Sequence, residues 1–251
     1  MKITWFGTAS IAVEGENGRI LFDPFLPLDK SDVHTDESSF RGYESILITH
    51  GHVDHISSIP CIFSGQNIYC TKTPLSTLKK DGIPEECLHL VKPGDTFTAE
   101  GFEISVLQGK HIRFDRRLIR RTLLSREFLT MRNNRRHLER EIIHCRENHE
   151  TVCFLIKDEG KKIFVMGSMA LSDIEYPQGP DLLILPYQGK SDLLKPALET
   201  VARLKPLCVL TDHFDNTFPP FSGNTNPYEL KEALDGILPV IVPEHNIPVY
   251  I

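Results

Sequence analysis

Four side chains that commonly bind metal ions fall within six residues, directly after a short apolar segment. The apolar segment is residues 45–49, and the cluster reads His50-Gly51-His52-Val53-Asp54-His55. A short apolar run is typical of a strand buried on both faces, and α/β sheets expose functional groups at the carboxyl ends of such strands. Histidines and a carboxylate clustered in this way would be costly to bury without a metal ion. The segment therefore predicts a metal site at the edge of a sheet.

The spacing within this cluster predicts two ions. His50 and His52 are two residues apart, so in an extended turn their imidazoles point to one side and share one ion. Asp54 and His55 are adjacent, so they diverge and reach a second ion. Imidazole and carboxylate ligands suit Zn²⁺, and also Mn²⁺ or Fe²⁺. We therefore expect two divalent metal ions, with zinc favoured.

The order of strands and helices predicts an α/β fold. Residues 3–13 and 19–25 are predicted strands of a hairpin, and residues 151–157 and 162–166 are predicted to form a second pair. Each pair is followed by βα units, an order that favours two mixed sheets packed together with helices outside. The 251 residues are enough for one large domain, and we expect a single domain over residues 1–251.

An arginine-rich segment at residues 113–150 interrupts this order. Apolar residues recur there at helical spacing, which predicts a helical hairpin inserted into the domain. Residues 110–150 carry twelve Lys or Arg against six Asp or Glu, although the whole chain has a formal net charge of −6. The insertion is a candidate lid, a candidate surface for homo-oligomer formation, or a solvated helix pair without a direct role.

The metal-binding cluster matches HxHxDH, the signature of the metallo-β-lactamase superfamily, which the chain resembles over nearly its whole length outside the insertion. The segments ITWFG at residues 3–7 and LFDP at residues 21–24 are similar to the branch that contains L-ascorbate-6-phosphate lactonase. Many members of that branch carry a histidine where this chain has Thr8. The resemblance implies an αββα sandwich of two mixed β-sheets flanked by helices, and a metal-dependent hydrolase.

The family pattern implies one further histidine for each ion. His111 follows the predicted strand at residues 104–107, and His213 follows the predicted strand at residues 208–211. The resemblance therefore implies three ligands for each ion. The two sets are His50, His52 and His111 for the first ion, and Asp54, His55 and His213 for the second.

Two other positions take their expected roles from the same pattern. The family usually has an aspartate that bridges both ions, and Ser168 stands in its place here, so we expect Ser168 to hydrogen-bond the bridging water. Because serine is a poor metal ligand at neutral pH, the occupancy of the second metal site stays open. Asp23 follows the second predicted strand and is expected to orient a ligand histidine through its other ring nitrogen. The alternative is that Asp23 caps the turn before Pro24.

Metal coordination lowers the pKa of bound water from 15.7 to about 7. The family pattern therefore predicts a metal-bound hydroxide that attacks an ester, a lactone or a phosphate-bearing small molecule, with Asp54 as the catalytic residue that orients it. Arg113 and Arg116 lie close to the predicted ligand His111 and favour an anionic substrate, because guanidinium groups bind phosphate or carboxylate through paired hydrogen bonds. Tyr187 and His245, from two later loops, are the other predicted substrate contacts.

Two other functions stay open. A phosphodiesterase or nuclease would use the arginine-rich insertion to bind nucleic acid, with an affinity that falls steeply with salt. It ranks second because the chain is not basic overall. A non-catalytic metal-binding regulatory protein is the other alternative, since Ser168 replaces the usual aspartate. No apolar run approaches the ~20 residues of a membrane span, and the first strand begins at the N-terminus without a signal sequence, so we expect a cytoplasmic location.

Overall fold

The computed structural model describes residues 1–28, 31–124, 145–219 and 222–251. These residues form two β-sheets packed face to face, with helices on the two outer surfaces. The predicted αββα sandwich of two mixed sheets is therefore confirmed.

The described strands and helices are short and follow one another closely. In chain order the strands are β1 (Lys2–Trp5), β2 (Ile11–Glu14), β3 (Arg19–Phe22), β4 (Ser45–Leu47), β5 (Asn67–Cys70), β6 (Leu88–Leu90), β7 (Thr96–Ala99), β8 (Phe102–Lys110), β9 (Val152–Asp158), β10 (Lys161–Val165), β11 (Ala170–Leu171), β12 (Leu182–Pro186), β13 (Val209–Asp212), β14 (Val240–Ile241) and β15 (Val249–Tyr250). The α-helices are α1 (Val53–Ile56), α2 (Ile59–Ile62), α3 (Lys72–Lys80), α4 (Arg116–Leu123), α5 (Leu194–Leu204) and α6 (Tyr228–Ala233), and 3₁₀ turns lie at Glu37–Phe40 and Glu85–Cys87.

Both sheets mix antiparallel and parallel pairs. The first sheet has the strand order β15-β1-β2-β3-β4-β5-β6, and its pairs from β3 onward are parallel. The second has the order β11-β8-β9-β10-β12-β13-β14, with β7 also paired to β8. Its pairs from β10 to β14 are parallel. Parallel neighbours end at the same edge of a sheet, so the loops after β4, β12 and β13 emerge at the carboxyl edges of the two sheets.

The alternation of side chains along each strand explains the four layers. In β3, Ile20 and Phe22 face the second sheet, whereas Leu21 faces the helices outside. Successive side chains of a strand point to opposite faces, so a strand with apolar residues at every position is buried on both sides. Outside the second sheet, Leu183 and Leu185 of β12 pack in the same manner beneath α5 and α6.

The structure bears on two further sequence-based expectations, the strand over residues 3–13 and the helical hairpin at residues 113–150. The strand predicted over residues 3–13 is wrong in extent, because residues 6–10 form a tight loop between β1 and β2 in which Gly7 has φ +103° and Thr8 has φ +50°. Of the predicted helical hairpin at residues 113–150, α4 is helical, while residues 125–144 lie outside the described part of the chain. The hairpin and its lid or oligomer role therefore stay predictions. Among the helices of the described ranges, none has the length and apolar character required to cross a bilayer.

Candidate metal centre

The loop after β4 presents four of the predicted metal ligands. β4, an interior strand of the first sheet, ends at Leu47, and the chain then turns into the short helix α1. His52 is the N-cap residue of α1, with extended backbone angles. Asp54 and His55 lie in the first turn of the helix, so a few residues of extended chain and one helical turn place all four side chains at the sheet edge.

Three histidines converge to form the first group of candidate ligands. The Nε2 atom of His50 lies 3.0 Å from Nδ1 of His52. The ring of His111, delivered by the end of β8 in the second sheet, lies with its centroid 5.0 Å from that of His50 and 4.6 Å from that of His52. One nitrogen from each ring lies within 4.8 Å of the other two. The structure thus brings together the three residues predicted for the first ion.

The second group lies beside the first. His213 follows β13, and its Nε2 atom is 3.1 Å from Oδ2 of Asp54. The other carboxylate oxygen of Asp54 lies 3.8 Å from Nε2 of His55. These three residues also offer ligand atoms within 4.8 Å of one another. The six predicted ligands therefore form two adjacent triads, built from both sheets.

In three of the candidate ligands, His50, His55 and His111, the other ring nitrogen lies within hydrogen-bond distance of a protein oxygen. Nδ1 of His55 donates to Oδ2 of buried Asp23 over 2.9 Å. Nδ1 of His50 lies 3.1 Å from Oγ1 of Thr49, which itself donates to Asp23. Nδ1 of His111 donates to the carbonyl of Ile112 over 2.8 Å. A hydrogen bond donated by one ring nitrogen leaves the lone pair on the other ring nitrogen. Asp23 contacts His55, one of the clustered candidate ligands.

Burial sets the protonation of the first group. It holds the pKa of His50 well below the usual value and lowers the pKa of His52 to about 4. The pKa of His111 is also lowered, again mainly by burial. A buried imidazole prefers its uncharged form, so all three rings are neutral at pH 7 and have a lone pair to offer a cation.

The second group is anionic at its centre. Burial opposes ionisation of Asp54, but the neighbouring His55 and His213 hold the pKa of its carboxyl below the usual value. Burial would lower the pKa of His213, yet its hydrogen bond to Asp54 raises it. Imidazole and carboxylate groups are the donor set of Zn²⁺, Mn²⁺ and Fe²⁺ sites. The residues present thus fit divalent metal ions, and their identity and number stay open.

Ser168 is part of the pocket lining. Its side chain lines the same pocket as the six candidate ligands, and only 6% of the residue is exposed. Its Oγ accepts a hydrogen bond from the backbone N–H of Ile112 over 3.0 Å. This bond ties the segment that carries His111 to the loop after β10, and it leaves the hydroxyl hydrogen of Ser168 available to a group in the pocket.

The four predicted substrate contacts do not line this pocket. Tyr187 is buried in the core outside the second sheet, and Arg113 and Arg116 are exposed. His245 lies 2.6 Å from Oγ1 of Thr35 and against the edge of Trp5. Other side chains flank the candidate ligands in the described lining. They are Ile112, Phe114, Pro186, Gln188, Phe218 and Ser222.

His213 is positioned by a set of hydrogen bonds between the two halves of the chain, which we call the clamp. The N–H of His213 donates to the carbonyl of Thr8 over 2.8 Å, and the indole of Trp5 donates to the same oxygen over 2.8 Å. The N–H of Thr8 in turn faces both carboxylate oxygens of Asp215, at 3.0 and 3.1 Å. Thr8 and His213 both have positive φ, +50° and +54°. Such backbone conformations persist only where the surrounding contacts enforce them, and they occur often at functional sites.

Replacement of Asp215 by alanine is expected to destabilise the metal-free protein by about 1–3 kcal/mol, because the buried N–H of Thr8 would lose its acceptor. The free energy of unfolding, measured with denaturant after metal removal, tests this. Asp181→Ala is the control, since half-buried Asp181 also accepts a backbone N–H, from Lys162, in a solvent-exposed hydrogen bond. An equal loss of stability in the two variants would contradict the proposed clamp.

A family model described as a beta-lactamase superfamily domain matches residues 2–213. Among curated proteins, a UPF0173 metal-dependent hydrolase from Brucella ovis is 34% identical over 114 residues, which are 44% of this chain and 47% of that protein. The chain spans about half the length of the curated relatives it matches.

Solved structures share the fold over almost the whole chain. The structure of Igni18, a novel metallo hydrolase from Ignicoccus hospitalis, has a TM-score of 0.66 at 22% identity and covers 99% of this chain and 97% of its own. The isothiocyanate hydrolase from Delia radicum gut bacteria has a TM-score of 0.68 at 12% identity, covering 100% and 99%. At these identities the likeness concerns the fold alone.

Proposed function

The chain belongs to the metallo-β-lactamase superfamily, and from this premise we propose that it is a metal-dependent hydrolase of a small-molecule ester, lactone or phosphate-bearing compound. The observation that carries the proposal is the convergence of six side chains, from three distant stretches of chain, into two triads of metal-ligand type at one pocket. Buried imidazoles and an ionised carboxylate are costly to assemble for packing alone.

The first triad would hold one ion and the second triad another. Divalent ions bound there would lower the pKa of water to about 7 and stabilise negative charge that develops on the substrate. Side chains of the protein would position the water and the metal ligands. Asp54, ionised and open to the pocket, orients water through its carboxylate oxygens, and Asp23 keeps the lone pair of His55 directed inward. Ser168 offers its hydroxyl hydrogen to a water molecule at the centre of the site.

Treatment with a chelator is expected to abolish hydrolysis of chromogenic esters, and addition of Zn²⁺, Mn²⁺ or Fe²⁺ is expected to restore it, because the ions supply the reactive water. The measurement compares the rate of 4-nitrophenol release before treatment, after treatment and after each metal is added, with the metal content of the protein followed in parallel. Hydrolysis that persists in metal-free protein would contradict the proposal.

Assays with phosphodiesters and nucleic acid separate the hydrolase from the two alternative functions. Cleavage of phosphodiesters, together with affinity for RNA or DNA that falls steeply with salt, would identify a phosphodiesterase or nuclease. Bound metal without turnover of any ester or phosphodiester would identify a regulatory metal-binding protein. Membership of the L-ascorbate-6-phosphate lactonase branch, a cytoplasmic location and homo-oligomer formation through residues 113–150 remain predictions.

A further inference from the structure

One side of the pocket is apolar. Beside the candidate ligands, its described lining includes the side chains of Ile112, Phe114, Pro186 and Phe218. The ring of Phe114 packs edge-on against the ring of His111 with centroids 5.7 Å apart, and 51% of Phe114 is exposed. Phe114 therefore lies at the pocket mouth, between solvent and the candidate metal ligands.

The polar groups on this side are used to build the walls. Nε2 of Gln188 donates to the carbonyl of Gly223 over 2.8 Å, and Oε1 accepts from the N–H of Gly189 over 3.3 Å. Oγ of Ser222 accepts from the N–H of Phe218 over 2.6 Å. A substrate group that enters between these walls meets mainly carbon atoms.

The apolar wall is formed by the segment after β8 and the loop after β12, and two contacts hold them together. One carboxylate oxygen of Asp115 caps α4, and the other accepts from the N–H and the hydroxyl of Ser191 at 2.7 and 2.8 Å. Gly189 has φ +101°, and a Cβ at that position would lie 2.5 Å from Cγ2 of Ile112. The loop after β12 thus packs directly on the segment after β8, which makes the apolar wall a preformed surface.

The pocket is small. Its volume of about 120 Å³ lies below the ~300–1,000 Å³ of sites that take drug-sized ligands. Such a space favours a short acyl or alkyl chain over a large group. A charged group placed against the apolar wall would lose its hydration without gaining a partner there, which costs free energy. The arginines near His111, Arg113 and Arg116, are exposed and lie outside the described lining.

We propose that the substrate is an uncharged ester or lactone whose short apolar acyl group packs on Ile112 and Phe114. This inference rests on the proposed hydrolase function and narrows its substrate class. In the reaction, the oxygen of water forms a bond to the acyl carbon, and the bond from that carbon to the leaving oxygen breaks. The leaving oxygen takes up a proton from the same water, so the products are a carboxylic acid and an alcohol, without any oxidant or reductant.

Two esters that differ in one terminal group test the inference on the metal-loaded protein. They are ethyl butyrate and monoethyl succinate, which share the leaving group; the succinate carries a carboxylate where the butyrate has its terminal methyl group. The alkoxide leaving group keeps this carboxylate from cleaving its own ester, and hydrolysis is followed by proton release. We expect kcat/KM for the butyrate to be at least about tenfold higher, the range that one group in an apolar pocket commonly contributes. We also expect kcat/KM for 4-nitrophenyl butyrate to exceed the values for 4-nitrophenyl phosphate and bis(4-nitrophenyl) phosphate.

Substitutions of Phe114 test whether the apolar wall causes the preference for the uncharged acyl group. Phe114→Ala is expected to raise KM for ethyl butyrate several-fold, with a smaller effect on KM for ethyl acetate, little change in kcat and an unchanged metal content. Phe114→Leu is expected to restore most of the loss. Ile119→Ala is the control, because Ile119 is an exposed apolar residue on α4 that does not line the pocket.

Preference for the succinate or for a phosphate ester would overturn the inference while leaving the hydrolase function intact. An unchanged KM for the butyrate in Phe114→Ala would do the same. Failure of the metal-loaded protein to hydrolyse any of these compounds would overturn the proposed function and the inference with it.

Discussion

Replacing His52 with alanine should remove one of the three nitrogens of the first triad and reduce hydrolysis by more than about a hundredfold. Loss of a group that merely orients a ligand commonly costs 10–100-fold in metal affinity or activity, so the loss of a ligand itself should cost more. The Nδ1 atom of His52 lies 3.0 Å from Nε2 of His50, so its removal leaves the first triad with two members. Elemental analysis of the purified variant should show a matching loss of bound metal.

His149→Ala provides the matched control for this variant. The side chain of His149 is fully exposed, and His149 lies outside both triads. Its replacement should leave the rate of hydrolysis and the metal content of the protein unchanged. A His52→Ala protein that binds metal and hydrolyses esters as well as this control would rule out the first triad as the reactive centre.

Replacing Asp23 with asparagine should produce the second largest effect, on both stability and metal binding. The buried carboxylate accepts from the N–H and the hydroxyl of Thr49 and from Nδ1 of His55. An asparagine keeps the shape and tolerates the positive φ of this position, +42°. Its NH₂ group, however, would face at least one of these donors. We expect the free energy of unfolding of metal-free protein to fall by about 1–3 kcal/mol, and metal affinity to fall by about 10–100-fold.

Calorimetric titration of metal into the apo protein measures the affinity, and denaturant unfolding measures the stability. Asp95→Asn is the matched control, because Asp95 accepts a single hydrogen bond at the surface, from the N–H of Lys92. If Asp23→Asn bound metal as tightly as Asp95→Asn, the carboxylate would have no role in orienting the histidines, and the alternative of a simple turn cap before Pro24 would replace it.

The part of the site that the residues themselves predict is local in sequence. The cluster from His50 to His55 could be interpreted because a buried strand, a tight turn and the spacing of its side chains lie within a few residues. His111 and His213 came only from the family pattern, because nothing local links them to the cluster. His213 contacts Asp54 across 159 residues of sequence, through strands of two different sheets.

The remaining features depend on tertiary contacts that sequence patterns do not report. The clamp joins Thr8 to Asp215 across 207 residues, and it holds a β-branched residue at a positive φ that local preference disfavours. The predicted role of Arg113 relied on its nearness to His111 in sequence. Its neighbours Ile112 and Phe114 point into the pocket, whereas Arg113 itself is exposed, so nearness in sequence did not determine the direction of the side chain.

The most direct test of the central claim is a crystal structure of the purified, catalytically active protein with anomalous diffraction recorded at the absorption edge of its bound metal. We predict an anomalous peak about 2.0–2.1 Å from one nitrogen each of His50, His52 and His111 if the metal is zinc. A second ion would lie against Asp54, His55 and His213. An active protein whose two triads contain no metal ion would contradict the account.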